Sequence, residues 1–464
     1  MSEEQLTRTN DKKRTEKPDK AAEGISKTPT WNHLLKFSFP TIISMLIMGT
    51  FGIVDGIFVA RLIDPIGLAA TGVVWPFLGF VLAIGFMLGV GGNAMIAKKI
   101  GEGRMKEARQ NFSLITIVAI IISIAGMVAG LLFPDLVLDI LGVDDFIRPM
   151  ALDYLRPLLW FMPTTALGII FQQFFITVGK AHYSAYTATI GGLLSAGLNY
   201  VFIRLLDMGI QGAALATSIG YTLPAVLGMV YFTFARNSSL HFVMPRLDFR
   251  ALGRTCINGA SEMVTMLASS ITAVLMNNIL LDLGGAKAQA AASIMFASMV
   301  VYSALFIGYA SGVMPIVSFN FGKGDTHNLK KSFINSLWLI GIFSLIAVGL
   351  ALATTNLLIG IYDVPVGIPM HEMAQTAIRF MALSFVFMGI NSFASMFFTA
   401  LNNGLVSSLL SLFRTLIFVA LAFMTLPALF GLSGAWMAFP AAEVLGIITS
   451  VFSFVLMRKK YRYV

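Results

Sequence analysis

The chain has 464 residues, of which 57% are hydrophobic and 12% charged, with a formal net charge of +9 and a single cysteine. A soluble domain carries roughly 25% charged residues and about 45–50% apolar ones, so this composition excludes a water-soluble fold. The lone Cys256 excludes an internal disulfide framework and a cysteine-based metal site.

In chain order, residues 1–31 come first: polar, mixed in charge and without an apolar h-region. They read as a disordered tail rather than a signal peptide. The acids of this tail nearly cancel its bases, so no nucleic-acid partner is expected. Beyond it, apolar runs recur to the end of the chain, at 34–57, 68–97, 111–133, 157–178, 184–206, 210–235, 254–281, 288–314, 332–355, 378–400, 406–428 and 432–457. A hydrocarbon core of about 30 Å takes about 20 helical residues to cross, and the runs do not alternate in polarity as barrel strands do. The expected fold is therefore an all-α integral membrane protein of twelve transmembrane helices.

With the N-terminus inside, one set of loops holds few basic residues: Arg61, Arg148, Arg156, Arg204, Lys287 and Arg379. One of these loops also gathers Asp135, Asp139, Asp144, Asp145 and Asp153. Apart from Arg414, the rest of the 32 basic residues fall in the tail and in the alternate loops around 98–109, 180, 236–254, 323–331 and 458–462. The positive-inside rule then places both termini in the cytoplasm of a multi-pass inner (plasma) membrane protein, and this topology accounts for the net charge. The glycosylation sequon at Asn237 lies on the cytoplasmic side and reads as chance.

An internal repeat stands at an offset of about 222 residues. Leu68-Ala-Ala-Thr71 corresponds to Ala290-Ala-Ala-Ser293, Gly101-Glu-Gly103 to Gly322-Lys-Gly324, Phe174-Phe175 to Phe397-Phe398, and Gly209-Ile-Gln-Gly-Ala213 to Gly431-Leu-Ser-Gly-Ala435. The repeat divides the chain into a six-helix lobe at 32–235, a cytoplasmic linker at 236–253, a second six-helix lobe at 254–457 and a cytoplasmic tail at 458–464. Because six is even, the lobes run in the same direction and are related about an axis along the membrane normal. Two lobes facing one another make a central cleft and a rocking motion natural. Solute transport is the expected function, with a static symmetric bundle as the alternative.

Four ionisable groups lie well inside the spans: Asp55, Glu262, Arg414 and Glu443. A central Asp or Arg costs about 2.5–3.5 kcal/mol on insertion scales, so such groups face the interior and mark pathways. Asp55 reads either as an interfacial partner of Arg61 or as a buried coupling acid of the first lobe. Asn199 on the fifth span is its candidate hydrogen-bonding partner. Arg414 and Glu443, on consecutive antiparallel spans, are placed to meet as an ion pair, structural or functional. Glu262 is then the acid left over, able to accept a cation. The five histidines form no metal-ligand pair on a helix, and no GxxxxGK[ST] sequence is present. Neither a membrane metalloenzyme nor a self-contained ATP-driven pump is indicated, and no metal site or cofactor is expected.

The chain resembles the multidrug and toxic compound extrusion (MATE) family over residues 32–460. The resemblance is carried by Val54-Asp55-Gly56, Gly101-Glu-Gly103, Leu198-Asn199-Tyr200, Gly212-Ala-Ala-Leu-Ala-Thr217 and the Gly308-Tyr309 to Pro315 run, together with the two six-helix halves. It implies a V-shaped pair of lobes, alternating access, and export of organic cations by a monomer coupled to inward H⁺ or Na⁺. On the same resemblance Asp55 and Asn199 are proton- or sodium-linked positions, Pro40 is the first-span proline at which that helix bends, and Glu262 is a seventh-span acid. The combination of Glu262, Arg414 and Glu443 is similar to a bacterial branch of the family and suggests substrate or cation binding. Ser195 stands where some members carry a second amide, and the region of Asn391 lacks the carboxylate of sodium-coupled relatives. Both departures favour H⁺ over Na⁺. A lipid or lipid-linked precursor flippase of a related two-lobed plan is the alternative function.

Overall fold

The computed structural model describes residues 24–464 except 64, 236, 237, 363 and 366. The sequon at Asn237, the basic Arg236 and residues 1–23 of the expected tail therefore lie outside the described residues. The remainder of the tail is not loose. Ile25 is fully buried, and the Pro29 carbonyl accepts from Asn335 Nδ2 at 2.8 Å.

Among the described residues the elements are helical throughout. They are α1 (Trp31–Leu62), α2 (Pro65–Gly101), α3 (Met105–Leu132), α4 (Pro134–Ile140), α5 (Arg148–Trp160), α6 (Met162–Thr177), α7 (Ala181–Tyr200), α8 (Gly209–Phe234), α9 (Phe249–Lys323), α10 (Thr326–Ala353), α11 (Thr355–Ile361), α12 (Pro369–Ala400), α13 (Gly404–Leu412) and α14 (Phe418–Tyr461). Two π-helical turns, Val201–Leu205 and Phe413–Ile417, continue α7 and α13.

A straight α9 of 75 residues would run about 112 Å at 1.5 Å per residue, far more than a bilayer. It is broken at Gly285, whose φ of 63° and ψ of −162° are not helical. Asn258 before the break donates to the carbonyl of Thr399 at 3.0 Å, and Ser318 after it donates to the carbonyl of Ala400 at 2.9 Å. Both arms thus reach the same end of α12, and α9 is a hairpin of two spans. Gly431 (φ 58°, ψ −136°) divides α14 in the same way, and α5 with α6 forms one span bent by 55°. With nine helices among the described residues long and apolar enough to cross a membrane, the two hairpins and the bent pair bring the number of spans to twelve. The fourth span bends where Pro157 and Pro163 withhold backbone donors. Helix α9 starts at Phe249, inside the stretch expected as linker, with Asp248 Oδ1 accepting from the Ala251 amide at 2.9 Å as its cap. The last residues also pack: Tyr463 is fully buried among Phe333, Phe397 and Phe454.

The repeated glycines have a backbone explanation. Gly103 and Gly324 both adopt φ 74°, and Gly209 and Gly431 adopt φ 56° and 58°, a left-handed region in which a Cβ is strained. The first glycines of the Gly-x-Gly pairs serve differently. A Cβ on Gly101 would stand 2.2 Å from the Phe319 carbonyl oxygen, and one on Gly322 would stand 2.1 Å from that of Lys98. The ends of α2 and α9 therefore cross at their glycines. A second symmetric pair of crossings lies alongside. Gly91 and Gly259 bring α2 onto the first arm of α9, while Gly308 and Gly312 bring the second arm of α9 onto Ser38 and Ile42 of α1. Subtracting the repeat maps one crossing on the other, as a parallel repeat about the membrane normal requires.

These interlobe approaches extend from Trp31, bonded to Asn335 at 2.9 Å, to Gly49 against Val300. They occupy the half of the bundle that contains Gly101 and Lys323. The packing divides accordingly. One continuous core runs from the first lobe into this half of the second lobe, through Tyr309, Phe333 and Phe397. The other half of the second lobe has its own core around Met295, Phe385 and Trp436. The two lobes are fused at one end and separately packed at the other, which is the geometry of a V.

Candidate functional site

Each lobe gathers its membrane-embedded polar groups into one cluster, and the clusters differ in electrostatics. In the first lobe Asp55, 4% exposed, sits on α1 about one and a half turns beyond the last interlobe contact at Gly49. Its Oδ1 accepts from Asn199 Nδ2 at 2.7 Å, and its Oδ2 accepts from Thr217 Oγ1 at 2.5 Å. The partners come from α7 and α8, which places Asp55 inside the lobe rather than at its rim. Tyr154 and Tyr221, both buried, stand close enough to feel the carboxylate charge, and Ser195 lies beside it without a hydrogen bond of ordinary geometry. No cation pairs with Asp55 among the described residues. The buried Asn199 Oδ1 has no partner among the described residues, although buried amide oxygens are ordinarily bonded.

The second-lobe cluster contains its own counter-charge. Arg414 Nε lies 3.0 and 3.1 Å from the two carboxylate oxygens of Glu443. Asn391 Nδ2 donates to Glu443 Oε2 at 2.6 Å and to its main-chain carbonyl at 3.0 Å, while Asn391 Oδ1 accepts from Ser450 at 2.9 Å. The expected meeting of Arg414 and Glu443 is present, and Asn391, noted in the sequence only for what it lacked, is the bridge. The signal available was its amide in an otherwise apolar run. Glu262 is half-buried, feels the charge of Arg414, and forms no hydrogen bond or ion pair among the described residues. It lies one turn beyond Gly259, where the lobes close.

The two π-helical turns flank these clusters. Asn199 lies two residues before Val201–Leu205, and Arg414 lies within Phe413–Ile417. A π-turn inserts one residue into the helical ladder and re-aims the side chains around it, which is why such turns gather at functional sites. Thr217 is the first-lobe residue that the sequence did not assign to Asp55, since it lies 162 positions away. Its only signal was a hydroxyl within the small-residue run Gly212–Thr217. Pro40 lies in the interlobe half of α1, which continues as a helix from Trp31 to Leu62. The six expected residues thus fall into a first-lobe group of Asp55 and Asn199, a second-lobe group of Arg414, Glu443 and Glu262, and Pro40 apart from both.

Comparison with known proteins agrees with the repeat. The MatE family model matches twice, over residues 40–201 and 262–424, so the second match begins 222 residues after the first. The chain is 24% identical over 445 residues to the multidrug export protein MepA of Staphylococcus aureus (strain MRSA252), covering 94% of this chain and 96% of that one. Among solved structures it matches the outward-facing conformation of a multidrug resistance MATE family transporter of the MOP superfamily with a TM-score of 0.90 at 19% identity, over 97% of this chain and 100% of that one. A MATE structure in complex with MaL6 matches with a TM-score of 0.89 at 19% identity, over 96% and 98%. These likenesses share the two-lobed fold, and with the doubled family match covering most of the chain they give its place: this protein belongs to the MATE family of multi-pass membrane transporters, not enzymes.

Proposed function

We propose that this protein is a secondary active multidrug exporter that exchanges hydrophobic organic cations for H⁺, in preference to Na⁺, by alternating access. The observation that carries the proposal is the isolation of Asp55: a buried carboxylate whose hydrogen-bond donors are the neutral groups of Asn199 and Thr217. An acid without a cationic partner in a membrane interior is discharged by taking up a proton or a cation. Both neighbours turn donors toward Asp55, and the amide oxygen of Asn199 points elsewhere. That arrangement suits a carboxylate exchanging protons better than an oxygen cage for sodium.

In this mechanism a proton arriving from outside neutralises Asp55, weakens the pull on a bound cation and lets α1 rearrange. Pro40 supplies the hinge, because it withholds the amide that would bond the carbonyl of Lys36. Asp55 lies about 22 Å farther along the helix at 1.5 Å per residue, so a small bend at Pro40 moves it substantially. Release of the proton to the cytoplasm restores the charge. One charge crossing 100 mV supplies about 2.3 kcal/mol, or roughly a fifty-fold gradient. Glu262, with Arg414 and Glu443 behind it, offers the incoming cation a negative floor. The protein acts as a monomer in the plasma membrane with both termini in the cytoplasm, so the lobes at 32–235 and 254–457 close on the cytoplasmic side and open outward. The relatives' name as multidrug export proteins supports the cargo and direction.

Purified protein in proteoliposomes tests this, with ethidium efflux followed under a pH gradient and a sodium gradient imposed separately. Efflux with the pH gradient alone is the expected result. Efflux with sodium alone, or none with either, overturns it.

A further inference from the structure

On the face where the lobes are fused, outside both polar clusters, lies a recess of about 410 Å³ between the end of α2, the start of α3 and the linker that enters α9. Lys99, Arg246 and Arg250 line it, together with Asn111, Glu107 and Asp248. The two acids are already engaged. Glu107 bonds Lys99 at 2.9 Å, and Asp248 accepts from the Ala251 amide at 2.9 Å as the cap of α9. That amide, with Lys99 and Arg246 nearby, holds the Asp248 carboxyl below the usual carboxylate range, so it stays a committed acceptor at neutral pH. Arg246 and Arg250 are exposed and have no ion-pair partner among the described residues. Asn111 is 3% exposed and its Nδ2 has no acceptor among the described residues. A buried donor left unpaired next to free guanidinium groups is the chemistry of an anion site.

The apolar surroundings narrow the anion. Met244, Leu247 and Phe249 are 91%, 74% and 79% exposed and alternate with the arginines. They do not dangle from a loose loop, because the linker is fastened to α3. The Arg109 Nε donates to the Ser239 carbonyl at 2.9 Å, the Val243 amide donates to Ser113 Oγ at 3.0 Å, and Phe242 packs on Phe112 at 4.9 Å. A fixed segment that presents apolar side chains beside unpaired arginines, at the end of the spans, matches the interface between headgroups and acyl chains.

We infer that this recess binds the phosphodiester headgroup of an anionic phospholipid of the cytoplasmic leaflet, with Arg246, Arg250 and the Asn111 amide on the phosphate and Met244, Leu247 and Phe249 among the acyl chains. The leaflet rests on the orientation proposed above; the binding chemistry does not. Lys99 and Asn111 belong to the first lobe, whereas Arg250 lies on the helix that opens the second. The walls are together because α2 and α9 meet at Gly91 and Gly259. A headgroup bound to both walls favours the arrangement in which this end is closed, and by linkage closure of this end raises affinity for the lipid.

The test uses the full chain in a neutral detergent, with retained lipid counted by native mass spectrometry and melting temperature followed as phosphatidylglycerol, phosphatidylcholine or inorganic phosphate is added. Phosphatidylglycerol is expected to be retained and to raise the melting temperature of the wild type. Arg246→Gln/Arg250→Gln, a change of exposed side chains that leaves the fold intact, is expected to bind it about 30-fold more weakly, as for two basic groups near a membrane surface. Asn111→Ala is expected to weaken it further, and the exposed pair Arg458→Gln/Lys459→Gln to leave it unchanged. Equal retention of phosphatidylcholine, undiminished binding in the arginine variant, or an equal loss in the 458/459 variant overturns the site. Protection by inorganic phosphate as strong as by phosphatidylglycerol overturns the lipid assignment in favour of a soluble phosphate. Transport enters none of these readouts, so failure here leaves the exporter proposal standing, and the converse also holds.

Discussion

The polar clusters of the two lobes occupy one repeated scaffold and solve the burial of an acid in opposite ways. Glu443 is neutralised locally by Arg414 and pinned by Asn391, whereas Asp55 receives only an amide and a hydroxyl. The repeat does not map one cluster onto the other: Glu443 corresponds to Tyr221, and Asp55 to Asn277. The symmetry therefore governs backbone crossings, while the electrostatics are assigned lobe by lobe. A compensated acid holds helices together. An uncompensated one is available to exchange its charge, and in the proposed mechanism Glu262 gives the second lobe a smaller share of that role.

The largest expected effect is that of Asp55→Asn, which keeps the shape and removes the charge. Efflux driven by a pH gradient should fall to the level of protein-free liposomes while the melting temperature holds. Next comes Arg414→Gln, which strands Glu443 and should cost about 3–5 kcal/mol in thermal or denaturant unfolding. The double change Arg414→Gln/Glu443→Gln should recover most of that loss; if it does not, the pair is more than a structural tie. Glu262→Gln should weaken binding of a cationic dye about tenfold, the scale of one screened charge pair, and leave a neutral analogue unaffected in equilibrium dialysis. The smallest contrast is between the two amides. Asn199→Ala and Asn391→Ala should each lose on the order of 1–2 kcal/mol of stability, but only Asn199→Ala should displace the pH profile of transport. A displaced profile in Asn391→Ala would erase the distinction between the lobes.

Much of the fold was legible because the bilayer imposes a length on every span and the repeat imposes a count. The end of the second span was located to within four residues, at Gly101 against an expected 97, whereas the eighth, expected to end at 314, continues as helix to Lys323. The fourth was placed at one end only: the span expected at 157–178 is α5 and α6, which begin at Arg148, end at Thr177 and bend between Pro157 and Pro163. Among site residues, charge in an apolar run revealed Asp55, Glu262, Arg414 and Glu443, and proximity along antiparallel spans paired two of them. Thr217 and Asn391 were harder to assign, since a lone hydroxyl or amide in a membrane helix costs little and leaves a weak trace. Their roles depend on helices distant in the chain meeting in space. The anion recess behind Arg246 and Arg250 was likewise visible only as loop charge, which the positive-inside rule already explained.

The central claim is that Asp55 trades its proton against the cargo, and proton release on binding measures that directly. Purified wild-type protein in weakly buffered detergent, mixed with saturating ethidium, should release on the order of one proton per cation bound, as linkage between the two ligands requires, and Asp55→Asn should release none. Equal release from both proteins would contradict the account and move the coupling away from the first lobe.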